Sequence, residues 1–172
     1  MKSIVVYNSK TGFTRKYGEW IAGELGCKAM PMKQADYSDC DVIIYGGWLM
    51  AGKIAGFDKI KENAAIRSKK LIVYATGMTG MTDTKAIDKI KNDNLSGSEQ
   101  KDIPFYYFES GINYETMGFF SKSMLKMMCK SLGKKKNKTE DETNMMKALS
   151  SSTDRSDQTY IKALVDYVRG IL

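Results

Sequence analysis

The chain contains no histidine. That removes the side chain best suited to acid–base work near neutral pH, the Ser-His-Asp and Cys-His nucleophile arrangements, and most zinc sites. Cysteine is scarce. Cys27, Cys40 and Cys129 stand far apart with no CxxC pair, the pattern of free or buried thiols rather than of a disulfide framework. No apolar run approaches the roughly 18 to 20 residues that cross a bilayer. The first residues enter a strand pattern rather than a signal peptide, so a cytoplasmic location is expected. Neither GxxxxGK[ST] nor GxGxxG occurs, which argues against the usual triphosphate and dinucleotide loops. Acidic residues are outnumbered, 20 against 27 Lys and Arg, giving a net charge of +7. Chemistry in such a chain is expected from a bound cofactor rather than from an acid–base side chain.

What is present is enough for one domain over residues 1–172. "SIVVY" (3–7), "DVIIYGG" (41–47) and "KLIVYATG" (70–77) are short β-branched-rich runs, the last two ending at glycine, as strands buried on both faces read. "IPFYYFESG" (103–111) is a fourth. "CKAMPM" (27–32) is a fifth, and Pro31 suits it to a sheet edge. Helical spacing appears over 13–25, where Tyr17, Trp20, Ile21, Ala22 and Leu25 share a side and Gly26 makes a stop. It appears again over 56–66, 83–92 and the closing residues 158–172, the last with Asp154, Ser156 or Asp157 as cap. Strands alternating with helices imply right-handed crossovers and a doubly wound five-stranded parallel sheet of order 2-1-3-4-5.

Residues 112–150 break that rhythm and read as an insertion before the last helix. Phe120, Met124, Met127, Met128 and Leu132 fall at helical spacing, with Lys122, Lys126 and Lys130 away from that stripe. Residues 121–138 hold no acid. This is a basic amphipathic helix, either packed on the sheet or offered to an apolar, anionic partner. A loop is expected over 133–144 and a polar linker over 150–158. No helix-turn-helix or single-strand-binding motif accompanies the lysines, so nucleic acid is not expected as a partner.

In an open parallel sheet, ligands sit outside the carboxyl ends of the strands where the strand order reverses. The loops expected there are 8–14, 46–53 and 76–82. The first carries "SKTGFT", an S-x-T-G-x-T pattern between strand and helix. Ser9, Thr11 and Thr14 offer hydroxyls, Gly12 permits close backbone approach, and the helix start supplies free N–H groups. The same residues also suit an ordinary capped helix start. In the second loop Trp48, between Gly47 and Leu49, is either a platform for a flat aromatic ring or a residue packed under the next helix. The third, "TGMTGMTD", offers Thr76, Gly77, Met78 and Thr79 to a ring edge, or forms a turn.

Together, S-x-T-G-x-T after the first strand, an aromatic after the third and a glycine-rich loop after the fourth resemble the flavodoxin family. The resemblance implies FMN, with phosphate on Ser9, Lys10, Thr11, Gly12, Phe13 and Thr14 and stacking on Trp48. It also implies edge contacts at Thr76, Gly77, Met78 and Thr79. Many family members stack a second aromatic on that third loop, where this chain has Met78 or Met81. Within the superfamily, "GFFSKSMLKMMCKSLG" resembles the insertion of the menaquinone-dependent protoporphyrinogen oxidases. That likeness implies a redox partner protein, quinone or porphyrinogen as partners, and peripheral membrane contact through 119–138. The alternatives are a stand-alone electron carrier and a regulatory module that has lost its flavin. The second loop holds no acid and ends in Lys53. A cation near the ring favours the anionic reduced flavin, so a less reducing flavin than a carrier's is expected.

Overall fold

A computed structural model describes residues 1–134 and 151–172. Its strands are β1 (Ser3–Asn8), β2 (Lys28–Pro31), β3 (Val42–Met50), β4 (Lys53–Ile54), β5 (Lys70–Gly77) and β6 (Phe105–Glu109). The helices are α1 (Phe13–Leu25), α2 (Phe57–Glu62), α3 (Thr84–Asn94), α4 (Glu99–Asp102), α5 (Phe119–Gly133) and α6 (Lys162–Ile171). The sheet runs β2-β1-β3-β5-β6, all parallel, with β4 paired antiparallel to the end of β3. With the two-residue β4 set aside, this is the expected order, and β2 with its Pro31 forms an edge.

Alternation along the strands builds two cores. On one face Ile4, Val6, Ile43, Tyr45, Leu71 and Val73 pack with Phe57 and Ile60 of α2 and Ile90 of α3. On the other Val5, Val42, Ile44, Ile72 and Tyr74 pack with Tyr17 and Ile21 of α1 and Leu164, Val165 and Val168 of α6. Successive strand residues point to opposite faces, and here both faces are dry, so the strands read as unbroken apolar runs.

Several expectations are refined. The third strand continues through Trp48 and Leu49 to Met50 and turns back into β4 at Ala51 and Gly52, so 46–53 is a hairpin rather than an open loop. Both turn residues have positive φ, 49° and 81°, as the tight two-residue hairpin turn requires. Gly46 and Gly47 lie within β3 and make room for neighbouring groups. A Cβ on Gly46 would stand 1.9 Å from Cζ of Tyr74, and one on Gly47 would stand 2.5 Å from Ile54. The helix expected over 56–66 is α2 followed by a 3-10 turn at Ala64–Ile66. Asp157, of the three candidate caps, caps the C-terminal segment, accepting from the Thr159 N–H at 2.8 Å.

The insertion begins where Ile112 bridges Thr153 in a short antiparallel pair. Gly111 stands so close to this return that a Cβ there would lie 1.8 Å from the Thr153 carbonyl oxygen. α5 forms as expected. Within the stripe, Met127 is 68% exposed, while the side chains of Phe120, Met124, Met128 and Leu132 lie outside the described ones. The loop expected over 133–144 falls, from residue 135 on, outside the described residues. Cys27, Cys40 and Cys129 are free thiols. Among the described residues, no helix is long and apolar enough to cross a membrane.

Candidate functional site

The expected loops do converge at the carboxyl end of the sheet, and Thr76 is where they meet. It lies one residue before the end of β5 beside Trp48, its register partner on β3, and its hydroxyl lies 2.8 Å from that of Thr14 at the start of α1. Both threonines are buried. Thr14 therefore joins the first loop to the third through its side chain. Leu49 closes the remaining side: a Cβ on Gly77 would stand 2.9 Å from its Cδ1.

The first loop is not a side-chain-capped helix start. Its N-cap is Gly12, at φ 98°, with no side-chain cap hydrogen bond. Nothing lies within 4 Å of a Cβ built there, so glycine is present for its backbone conformation and not for want of space. This geometry leaves the first-turn N–H groups of α1 without intrahelical acceptors, as in any helix. Beside them the Ser9 hydroxyl is buried and has no hydrogen-bond partner. An orphaned buried hydroxyl next to free backbone donors at a helix start fits a phosphate monoester. Thr11 is half-buried and Lys10 exposed, while Phe13 is buried.

The loop is anchored from below by Tyr74. This ring is fully buried, lies against Gly46 on β3 and Gly18 on α1, and donates to the Thr14 carbonyl at 2.9 Å. Burial holds its phenol well above the ordinary value, so it acts as a fixed donor.

Trp48 is half-buried at the top of β3, and the ammonium of Lys10 lies 5.1 Å from its ring centroid. Asn94, at the end of α3, fixes the hairpin that carries it. Its side chain accepts from the Ile54 N–H at 2.8 Å and donates to the Gly52 carbonyl at 2.7 Å. Lys53 was expected beside the ring system; it instead donates to the Asp93 carbonyl at the end of α3.

β6 holds the third loop from behind. Tyr107 donates to the Thr79 carbonyl at 2.9 Å, and Ser110 donates to the Gly77 carbonyl from both its N–H and its hydroxyl. Glu109, whose carboxylate pairs with Arg155 at 3.2 Å, accepts more weakly from the Met81 N–H at 3.4 Å. Met81 packs on the core, and Met78 is half-buried. Asn94, Tyr74, Tyr107 and Glu109 were not expected from sequence; they act through tertiary contacts that no local motif signals.

A hollow of about 490 Å³ lies at the opposite end of the sheet among Lys2, Cys27, Asp39 and Cys40. It is remote from the converging loops. A second cleft of about 450 Å³ separates Thr11, Gly12 and Lys16 from the base of the insertion at Asn113 and Thr153.

A family model described as a flavodoxin domain matches residues 4–139. No curated protein matches the chain. Among solved structures, a flavodoxin from the domain Archaea is similar at 16% identity over 62% of this chain and 85% of its own, with a TM-score of 0.40. A WrbA-like flavodoxin from Agrobacterium tumefaciens is similar at 16% identity over 62% and 82%, TM-score 0.41. The rubredoxin oxygen:oxidoreductase of Desulfovibrio gigas is similar at 14% identity over 96% and 36%, TM-score 0.39.

Proposed function

The chain belongs to the flavodoxin-domain family, whose cofactor is FMN, and from that premise we propose which of its residues hold the cofactor and what it serves. The phosphate is held by the Ser9 hydroxyl, the Thr11 side chain and the backbone N–H groups of residues 12–14. The isoalloxazine ring lies against Trp48, with its edge toward Gly77, Met78 and Thr79. Thr14 and Thr76 tie the loops together beneath it, and Gly47, Phe13 and Leu49 pack rather than bind. FMN supplies electron transfer when bound; the protein contributes position and electrostatics.

The observation that carries this reading is the buried, partnerless Ser9 hydroxyl beside the start of α1. A hydrogen bond to a charged group contributes about 1.5–3 kcal/mol. Ser9→Ala is therefore expected to weaken FMN by about tenfold or more and to leave riboflavin, which lacks the phosphate, unchanged. Equal losses for both ligands would count against a phosphate role for Ser9.

Within redox chemistry, oxidation of a porphyrinogen with a quinone as acceptor is the more specific reading, and α5 supports it. Phe119, 89% exposed, and Met127 stand in solvent on a helix that also carries Lys122, Lys126 and Lys130 and no acid. Such a face suits an apolar molecule with carboxylates, and equally an anionic membrane surface from which a quinone is drawn. The FMN-loaded protein, given porphyrinogen and quinone without oxygen, is expected to form fluorescent porphyrin. Tight FMN binding with no porphyrin formed would favour a stand-alone electron carrier.

A further inference from the structure

The lysine of the phosphate loop does not point its charge into that loop. Lys10 Nζ lies 5.1 Å from the centroid of Trp48, over the ring. Its surroundings differ from those of the other lysines near aromatic rings. Lys16, over Trp20, is paired with Asp154 at 2.8 Å, and Lys61, over Phe57, is paired with Glu99 at 3.1 Å. Among the described residues Lys10 has no carboxylate partner, and the π face of Trp48 is what its charge meets. The neighbouring Lys53 is committed to the Asp93 carbonyl on α3.

From this we infer that Lys10 is a ring-side cation. In the flavin-free protein it covers Trp48, and with flavin present it favours the negatively charged reduced ring over the neutral oxidised one. The inference rests on the proposed placement of FMN on Trp48. Lys10 is tethered between Ser9 and Thr11, so its ammonium remains within side-chain reach of whatever lies on Trp48. Transfer of two electrons from an external donor such as dithionite, with uptake of one proton from solvent, leaves a negative charge on the ring, and a unit charge roughly 5 to 8 Å away favours that form over the neutral one. The phosphate does not change charge in the reaction. A lysine serving only the phosphate would therefore strengthen oxidised and reduced FMN alike.

The test measures dissociation constants for oxidised and for dithionite-reduced FMN, without oxygen, in the wild-type protein and in Lys10→Gln and Lys53→Gln. Lys10→Gln is expected to weaken reduced FMN about tenfold more than oxidised FMN, the lower part of the range for a charge at this distance. Lys53→Gln is expected to leave the ratio of the two constants unchanged. A second readout needs no flavin. In a Trp20→Phe background Trp48 is the sole tryptophan, and its quenching by acrylamide is expected to rise in Lys10→Ala. An unchanged ratio in Lys10→Gln would overturn the inference while leaving the FMN site standing. Failure of the wild-type protein to bind either form would overturn both.

Discussion

Gly46→Ala probes the join between sheet and site. The added methyl carbon would stand 1.9 Å from Cζ of Tyr74 and 2.2 Å from its hydroxyl. The ring has no free side to move into: a Cβ on Gly18, across from it, would already lie 2.8 Å from the same hydroxyl. Overpacking of this kind costs about 1–3 kcal/mol. Displacing the ring also breaks the 2.9 Å bond to the Thr14 carbonyl, and leaving buried partners unsatisfied costs about 1–3 kcal/mol more. The expected loss is then about 2–6 kcal/mol, a large share of the roughly 5–15 kcal/mol typical of a domain. At a urea m-value of about 2 kcal/mol per molar, the middle of the usual range, the midpoint falls by about 1–3 M. Urea unfolding followed by circular dichroism reads this directly, with the slope checked for constancy. Adding Tyr74→Leu gives the methyl room, so the double variant should be more stable than the sum of the single losses by about 1 kcal/mol or more. A Gly46→Ala loss within about 0.5 kcal/mol of zero, or strict additivity in the double variant, would refute the reasoning.

Three further outcomes are expected. Asn94→Ala removes the side chain that holds the turn and the return strand of the Trp48 hairpin, so FMN affinity should fall several-fold at a stability loss of about 1–3 kcal/mol; unchanged FMN affinity would contradict this. Gly12→Ala meets no atom yet places a side chain at φ 98°, so a loss of about 1–2 kcal/mol should appear together with weaker FMN, from backbone strain alone. Burial holds the phenols of Tyr17, Tyr45 and Tyr107 far above the ordinary tyrosine value. Their folded-state values being raised, the stability they contribute is fully present below about pH 10 and lost as pH rises above it, because the unfolded chain then releases protons that the folded one keeps. Tyrosinate absorbance should therefore rise together with unfolding in an alkaline titration; substantial ionisation of these phenols in the folded protein would contradict their burial.

The sheet was legible because its signals are local and doubled. Runs such as Val42–Tyr45 and Leu71–Ala75 are apolar at every position, and only a strand covered on both faces requires that. "SKTGFT" was legible for a similar reason, since glycine at a left-handed N-cap and small hydroxyl residues beside it are properties of a single turn. The hairpin was not legible. Ala51-Gly52 is not a customary hairpin pair, and the strand continues past Gly46 and Gly47, which looked like its end. Those glycines illustrate the limit: the sequence displays a missing side chain, but not Tyr74 or Ile54, which occupy its place. Lys53 was misjudged for the same reason, because its partner on α3 lies 40 residues away. Thr14 and Thr76 were read as cofactor contacts; that their hydroxyls also meet each other across 62 residues is a tertiary contact no local pattern displays.

The central claim is that the three converging loops hold FMN by its phosphate and its ring. Titrating the purified protein with FMN and with riboflavin, while following flavin and tryptophan fluorescence, tests it most directly. The account predicts tight FMN binding, riboflavin weaker by at least about tenfold, and ring quenching that is lost in Trp48→Ala. Equal affinity for the two flavins, or quenching that survives Trp48→Ala, would contradict it.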